Sequence, residues 1–386
     1  MKKMRKILSL CMAVCMVFVL AACGGNSAPA AGGSTQGSGQ TANTPAAPST
    51  GGNSGGGSST TLWPNGTPVV YIGYGAGGGT DNAVRPVVAK MAEYLGENIN
   101  CQNMEGSNSA TAADYVLELP HDGYSMMATG TGGASSWGVN EYTDSNWTDW
   151  YSFHPYSGPA LIFANKDSGI TSIDDIFEFV KGGNNFGIGA YGNGPHTQFE
   201  SIRNTKGLGA PSYSVFGSCR DTATACFAGD VQCGAGSLSA VIEFIQADQL
   251  VPIAVTCADD FDFGGGVVTP SITKLVPGTD NVPGLNETWP ILIPRDAPQE
   301  IIDKLVEAFE YAITTDEIKQ YADSMGYTIL GYSGEEGDKF MSYSLSGYAW
   351  TIFNAGLATV SPADLNIPTL EEYNWDTVKL QCAAYK

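Results

Sequence analysis

The stretch 68–95 confines the fold more than any other part of the chain. A short apolar run, PVVYI (68–72), leads into GAGGGTDNAVR (75–85), and Val84, Val87, Val88, Met91 and Leu95 then repeat at the spacing of one helical face. Strand, glycine turn and helix in that order leave a cluster of backbone N–H groups with positive partial charge. Such a cluster binds an anion without any basic side chain. An ordinary strand-to-helix turn has the same glycine content, because glycine is the default residue of tight loops.

The alternation continues. Strands are expected near 98–104, 124–128, 161–165 and 251–256, and helices over 110–118, 173–181 (begun by Thr171 or Ser172) and 240–247. The strand at 124–128 runs into a further glycine-rich end that starts at Thr129. Strands alternating with helices argue for an α/β architecture with mainly parallel sheets. The last hundred residues turn helical: Ile301, Ile302, Leu305, Phe309 and Ala312 share one face. Thr314 with Glu317 and Ser333 with Glu336 match capping-box spacing, and Gly326 fits a helix stop.

The N-terminus reads as an export signal. Lys2, Lys3, Arg5 and Lys6 precede an apolar run over 7–19 and then Leu20-Ala21-Ala22-Cys23. That run is short of the roughly 20 residues a membrane span needs. Leu-Ala-Ala-Cys resembles a bacterial lipobox, which would make Cys23 the lipidated first residue; a plain signal peptide with an incidental cysteine is the alternative. Residues 24–60 carry no charge and consist almost wholly of Gly, Ser, Thr, Ala, Pro, Asn and Gln, a composition that cannot bury enough apolar surface to fold. As a flexible tether they would span about 33 Å. Without the four basic residues of the leader the formal charge is 14 minus 39, or −25. Nucleic acid and anionic lipid headgroups are poor partners for that surface. Six further cysteines, Cys101, Cys219, Cys226, Cys233, Cys257 and Cys382, form no CxxC and fit no zinc spacing. They are expected to be free, mostly buried thiols, with disulfides the alternative and no metal.

A second glycine turn, FGIGAYGNGPH (186–196), satisfies GxGxxG through Gly187, Gly189 and Gly192. The dinucleotide reading also needs an acid about 20 residues on, and 208–216 contains none. A second anion nest, with a helix starting near Pro195 or His196, explains the segment better. Two such nests could face each other across a cleft at the carboxyl ends of the strands.

Taken together, these motifs resemble the substrate-binding proteins of the tripartite tricarboxylate transporter family, the Bug-type receptors. The resemblance runs from about Trp63 to Trp350. It rests on GAGGGTDNAVR, on LPHDGY (119–124), on 187–196 with its closing histidine, on FAGDV (227–231) and on WPILIPRDAP (289–298). It implies a two-lobed α/β fold of the type II periplasmic-binding-protein kind, with two hinge crossovers, near Phe163 and Pro277, and a helical C-terminal segment. The implied organisation is a signal peptide at 1–22, a lipidated tether at 23–61, a first lobe at 62–163 plus 277–386, and a second lobe at 164–276. It also implies a small carboxylate ligand (di- or tricarboxylate, acidic amino acid or aromatic acid), membrane permease subunits as partners, and neither cofactor nor catalysis.

Carried onto this sequence, the ligand residues are Tyr74, Gly77, Gly78, Gly79, Thr80 and Asp81 in the first loop, Thr129, and Gly192, Asn193 and His196 in the second. Asn193 departs from the serine or threonine of the family. Ser218-Cys219-Arg220-Asp221 replaces Gly-x-x-Pro, which adds Arg220 as a cation near the cleft; an ion pair with Asp221 or another acid is the plainer role. Gly106-Ser107-Asn108-Ser109 replaces a more glycine-rich turn. Asp81 either orients a ligand group or caps its helix, Arg85 reads as a scaffold ion pair, and His196 either meets ligand or fixes its loop. His121 and His154 read as turn and surface residues. Trp137, Trp147 and Trp150 either line the cleft or fill the lobe junction. Two other functions remain open: a receptor for another importer or a sensor, and a secreted hydrolase with His196 as its base.

Overall fold

The computed structural model describes residues 63–282 and 286–386, so the leader, Cys23 and the tether lie outside the described residues. Two sheets organise the rest. The first contains β1 (Val69–Ile72), β2 (Asn100–Asn103), β3 (Ser125–Ala128), β4 (Trp150–Gly158), β12 (Glu287–Thr288), β13 (Ile291–Pro294) and β14 (Thr328–Ser333). Its order is β12-β4-β13-β3-β1-β2, with β14 added on β4. The second contains β5 (Ala160–Asn165), β6 (Asn185–Ile188), β7 (Ser212–Val215), β8 (Cys233–Ser237) and β9 (Leu250–Val255), in the order β7-β6-β8-β5-β9. A two-residue hairpin, β10 (Phe261–Asp262) with β11 (Val268–Thr269), stands apart.

Parallel pairing is confined to the parts where strand and helix alternate in sequence. β1 pairs in parallel with β2 and β3, and β6 with β7 and β8. The long strands β4 and β5 pair antiparallel to their neighbours, so both sheets are mixed. β4 ends at Gly158 in the first sheet and β5 begins at Ala160 in the second. The change of lobe therefore falls at Pro159, not near Phe163, which pairs with Gly234 and Pro252 inside β5. The apolar run 160–165 looks the same on either side of a boundary, and pairing partners alone decide it. The chain returns between α8 (Ile272–Leu275) and β12.

Helices cover both faces of each sheet. In the first lobe α1 (Gly79–Leu95) and α9 (Gln299–Thr314) pack on β1, β3 and β13 through Val84, Val87, Val88, Ile301, Leu305 and Phe309, the face their spacing predicted. On the other face Trp137, Trp147 and Trp150 join α2 (Ala110–Leu117) and Met341 in a separate core, so these tryptophans fill the lobe interior. In the second lobe α4 (Ile173–Lys181) and α5 (Gly194–Thr205) cover one face of the sheet, and α6 (Cys219–Ala228) and α7 (Leu238–Gln246) the other. Ser172 caps α4 in a reciprocal box with Asp175. α10 (Asp316–Met325) starts one residue later than its sequence signal, with Thr315 as cap, and stops at left-handed Gly326. α11 (Gly334–Asn354) packs on α3 (Thr131–Ser136) and β4 of the first lobe and on α5 of the second. Its N-cap Ser333 makes no side-chain cap bond, so the expected box is not formed. A four-residue helix, α12 (Trp375–Val378), follows near the C-terminus.

α11 also corrects one reading. His154 is fully buried, not a surface residue, because α11 covers its strand and sets Phe340 5.4 Å from the imidazole. Its Nδ1 lies 3.0 Å from Thr288 Oγ1 and its Nε2 3.1 Å from Ser152 Oγ. Burial pushes its pKa down to about 3, so it is a neutral core residue.

The second lobe holds a buried ion pair. Arg203 bonds both carboxylate oxygens of Glu200, and the Tyr213 hydroxyl donates to the same carboxylate. Glu200 is fully buried and Arg203 4 % exposed. Arg203→Ala would leave Glu200 without its counter-charge and is expected to cost about 3–5 kcal/mol. Urea unfolding should show it as a lower midpoint; a change under 1 kcal/mol (about the worth of an exposed pair) would contradict the burial.

Candidate ligand-binding site

Both expected turns form at the carboxyl ends of parallel strands, β1 into α1 and β6 into α5. Gly77 (φ 72°) and Gly192 (φ 78°) take the left-handed conformation that turns each strand into its helix. In the first turn Asp81 is the third helical residue. Its Oδ2 accepts the Gly77 N–H (2.9 Å), and its Oδ1 accepts Arg85 Nε (2.8 Å) and Asn103 Nδ2 (2.9 Å). Burial raises the Asp81 pKa, but those three donors outweigh it and the net shift is downward. Asp81 is thus a loop-fixing carboxylate with its acceptors occupied, and Arg85 is its scaffold partner. The first-turn N–H groups of Gly79 and Thr80 have no intrahelical acceptor and remain as donors.

In the second turn Asn193 caps α5, its Oδ1 accepting the His196 N–H at 3.0 Å. His196 Nδ1 accepts the Gly192 N–H at 2.8 Å. The fully buried ring meets Tyr191 and Tyr213 edge-on, at 5.5 and 4.7 Å. Burial, with a smaller push from Arg203, holds its pKa down to about 3. His196 is therefore a neutral brace for the loop.

A third chain segment enters here from β12. Glu287 is 5 % exposed, and its Oε1 accepts the Gly194 N–H at 3.3 Å; the Gly132 N–H of α3 also reaches it. A side chain at Gly130 or Gly194 would run into this carboxylate. Burial pushes the Glu287 pKa up to about 7 against the pull of the two backbone donors. Among the described residues none of the ion pairs includes Glu287. The second nest is thus already occupied by a carboxyl group of the chain itself.

Between the lobes lies a small, partly open space of about 20 Å³, room for about one water. Tyr74, Gly78, Gly79, Thr80 and Asn193, all expected from sequence, line it. Ser218, Cys219, Ser237, Glu287 and Trp289 complete the lining. Gly77, Asp81, Thr129, Gly192, His196 and Arg220 do not reach it. Thr129 is buried 2.5 Å from Ser109 Oγ. Arg220 lies beside Gly77, ion-paired to Glu243 at 3.1 Å and 5.6 Å from the Phe244 ring. The plainer role for Arg220 is what the geometry shows, with Glu243 rather than Asp221 as the acid. Cys219 stays a thiol, since burial pushes its pKa up to about 11, and all six described cysteines are unpaired, four of them buried.

The lobes are shut by direct bonds. Tyr74 Oη donates to Asn108 Oδ1 (2.6 Å), while Asn108 Nδ2 donates to Ser136 Oγ (2.7 Å) and, across the cleft, to the Tyr191 carbonyl (3.0 Å). Asn82 Nδ2 makes a second crossing to the Ser239 carbonyl at 3.2 Å. Asn108 and Glu287 escaped the sequence reading. Asn108 stood in a turn noted only for its lost glycines, and Glu287 lies two residues before the Trp289 motif. Nothing in the return segment PGTDNVPGLNETWP (277–290) set Glu287 apart from Asp280.

No family model and no curated protein matches the chain. Solved structures do. A protein of R. palustris with adipate matches with a TM-score of 0.70 at 21 % identity, over 77 % of this chain and 99 % of its own. The periplasmic binding protein BugD matches at 0.68 and 17 % identity, over 77 % and 99 %. The chain has the two-lobed fold of the periplasmic solute-binding proteins. MatC from Rhodopseudomonas palustris with bound malate is a further match, at 0.66 and 17 % identity, over 75 % and 100 %.

In this fold the small space lies between the lobes, and a far larger groove of about 1700 Å³ lies elsewhere. That groove runs on the first lobe among Asp114, Trp147, Arg295 and Asn366, and Arg295 there is committed to Asp338 at 2.7 Å. It gathers residues of one lobe only, so closure of the two lobes cannot capture anything in it. Among the described residues no helix is long and apolar enough to cross a membrane, and no group of three His, Cys, Asp or Glu is placed to hold a metal ion.

Proposed function

We propose that this chain is a lipid-anchored extracytoplasmic receptor of the tripartite tricarboxylate transporter family. It captures a small carboxylated solute between its lobes and delivers it to membrane permease subunits. The observation that carries the reading is the N-terminal turn of α1: Gly79 and Thr80, whose N–H groups have no intrahelical acceptor, line the inter-lobe space. A carboxylate there meets backbone donors and a helix dipole. The adipate and malate in the matched structures support that ligand class. The lobes, 62–159 plus 277–386 and 160–276, would part about Pro159 and the return segment before β12, as in hinge closure. No bond need be made or broken. His196, the base a hydrolase would require, is buried with Nδ1 occupied.

A thermal-shift screen against small carboxylates, with their amides as controls, tests the reading. An acid at 100 times its dissociation constant should stabilise the fold by about 2.7 kcal/mol. The shift should vanish with the amide and in Gly79→Ala, whose Cβ would meet Ser237 from the opposite lobe. No shift with any acid at millimolar concentration would sink the receptor reading.

A further inference from the structure

We infer that Glu287 sets the ligand class of this cleft: it receives the ammonium group of a zwitterionic ligand, an amino acid, whose carboxylate rests on the N-terminal turn of α1. The inference rests on the receptor reading above and narrows it.

The two nests are not equivalent. At α1, Gly79 and Thr80 line the inter-lobe space and their N–H groups have no intrahelical acceptor. At α5 the donors are used: Gly192 N–H goes to His196, His196 N–H to Asn193 and Gly194 N–H to Glu287. A ligand carboxylate directed at the second nest would therefore meet the Glu287 carboxyl group in place of free donors. Buried charges in proteins are ordinarily paired. Glu287 has two backbone donors, and none of the ion pairs among the described residues includes it. It lines the same space as Gly79 and Thr80. That space thus has donors for an anion on one wall and an uncompensated acceptor on another, the pattern an amino acid complements. The remaining polar wall, Tyr74, Asn193, Ser218 and Ser237, is uncharged and adds no competing cation. A space of about 20 Å³ holds no amino acid, so its lining must widen to admit one; the lobe contact of Gly132 with Gly194 is not part of that lining.

The test compares matched pairs on the purified protein by calorimetry: alanine with propionate, aspartate with succinate, glutamate with glutarate, phenylalanine with 3-phenylpropionate. At least one amino acid should bind about 30-fold or more tightly than its deamino partner, the loss expected when one member of a buried charge pair is removed. In Glu287→Gln, which keeps an acceptor for the Gly194 N–H, that preference should disappear through weaker amino-acid binding. If Glu287→Gln fails to fold, the pairs measured on the unaltered chain still decide. Deamino acids that bind as tightly as their amino acids in every pair, or a preference that survives in Glu287→Gln, overturn the role of Glu287 and leave the carboxylate receptor standing. Absence of binding by every member of the panel overturns both.

Discussion

Gly132→Ala is expected to hold the lobes apart and to abolish tight binding while both lobes still fold. A Cβ at Gly132 would stand 2.5 Å from Gly194 N, 2.8 Å from Gly194 Cα and 3.0 Å from the Asn193 carbonyl carbon. All three are backbone atoms of the opposite lobe, with no rotamer by which to move aside. Ordinary carbon contacts lie at about 3.5–4.0 Å, so the closed geometry is denied. Within its own lobe the change is benign, because Gly132 is inside helix α3 and alanine favours helix. If the closed form falls to about 1 % of the population, the apparent affinity weakens about 100-fold. Calorimetry should register that loss, and small-angle scattering should show a larger radius of gyration. Gly209→Ala, where a Cβ meets nothing within 4 Å, is the control. Unchanged affinity in Gly132→Ala would mean that the bound state does not use this closure.

Acid should weaken the fold progressively from about pH 6.5 downward. His154 and His196 are both fully buried and neutral, with pKa values of about 3 set first by burial. The unfolded chain protonates them near pH 6.5, so their contribution is complete above that pH and is lost as pH falls toward 3. At pH 4 each has surrendered roughly 3 kcal/mol. Glu287 acts with the opposite sign. Its folded pKa of about 7 lies above the ordinary 4.5, so its protonation returns roughly 3 kcal/mol as pH falls from 7 to 4.5. The net loss at pH 4 is then roughly 3 kcal/mol, and Glu287→Gln should uncover about twice that. Urea midpoints taken from pH 7.5 to 4 measure both slopes. Stability that stays flat in the unaltered chain and in Glu287→Gln would show that neither histidine is held neutral.

What could be read in advance follows the range of the interaction. The glycine turns at 75–79 and 187–194, the Ser172 start of α4, the Gly326 stop and the buried face of α9 are local: each is set by residues within a turn or two. They were legible, and with them the α/β class and the half of the site built on α1 and Asn193. Features that depend on which segment lies against which were not. Strand pairing moved the lobe boundary from Phe163 to Pro159, and the cover of α11 turned His154 from a surface residue into a core one. Asp81, His196 and Arg220 had the right chemistry for ligands, but each met a nearer partner within the chain.

The sequence by itself therefore determined the two glycine turns, since a strand, a glycine in the left-handed region and a helix N-terminus expose N–H groups wherever they occur in that order. Tertiary structure decided which nest stays open. Glu287 lies 93 residues from Gly194 in the chain, and nothing local to either residue foretells that a carboxylate from β12 enters the α5 turn. A buried charge takes its character from everything packed around it, and that environment exists only once the two lobes have come together.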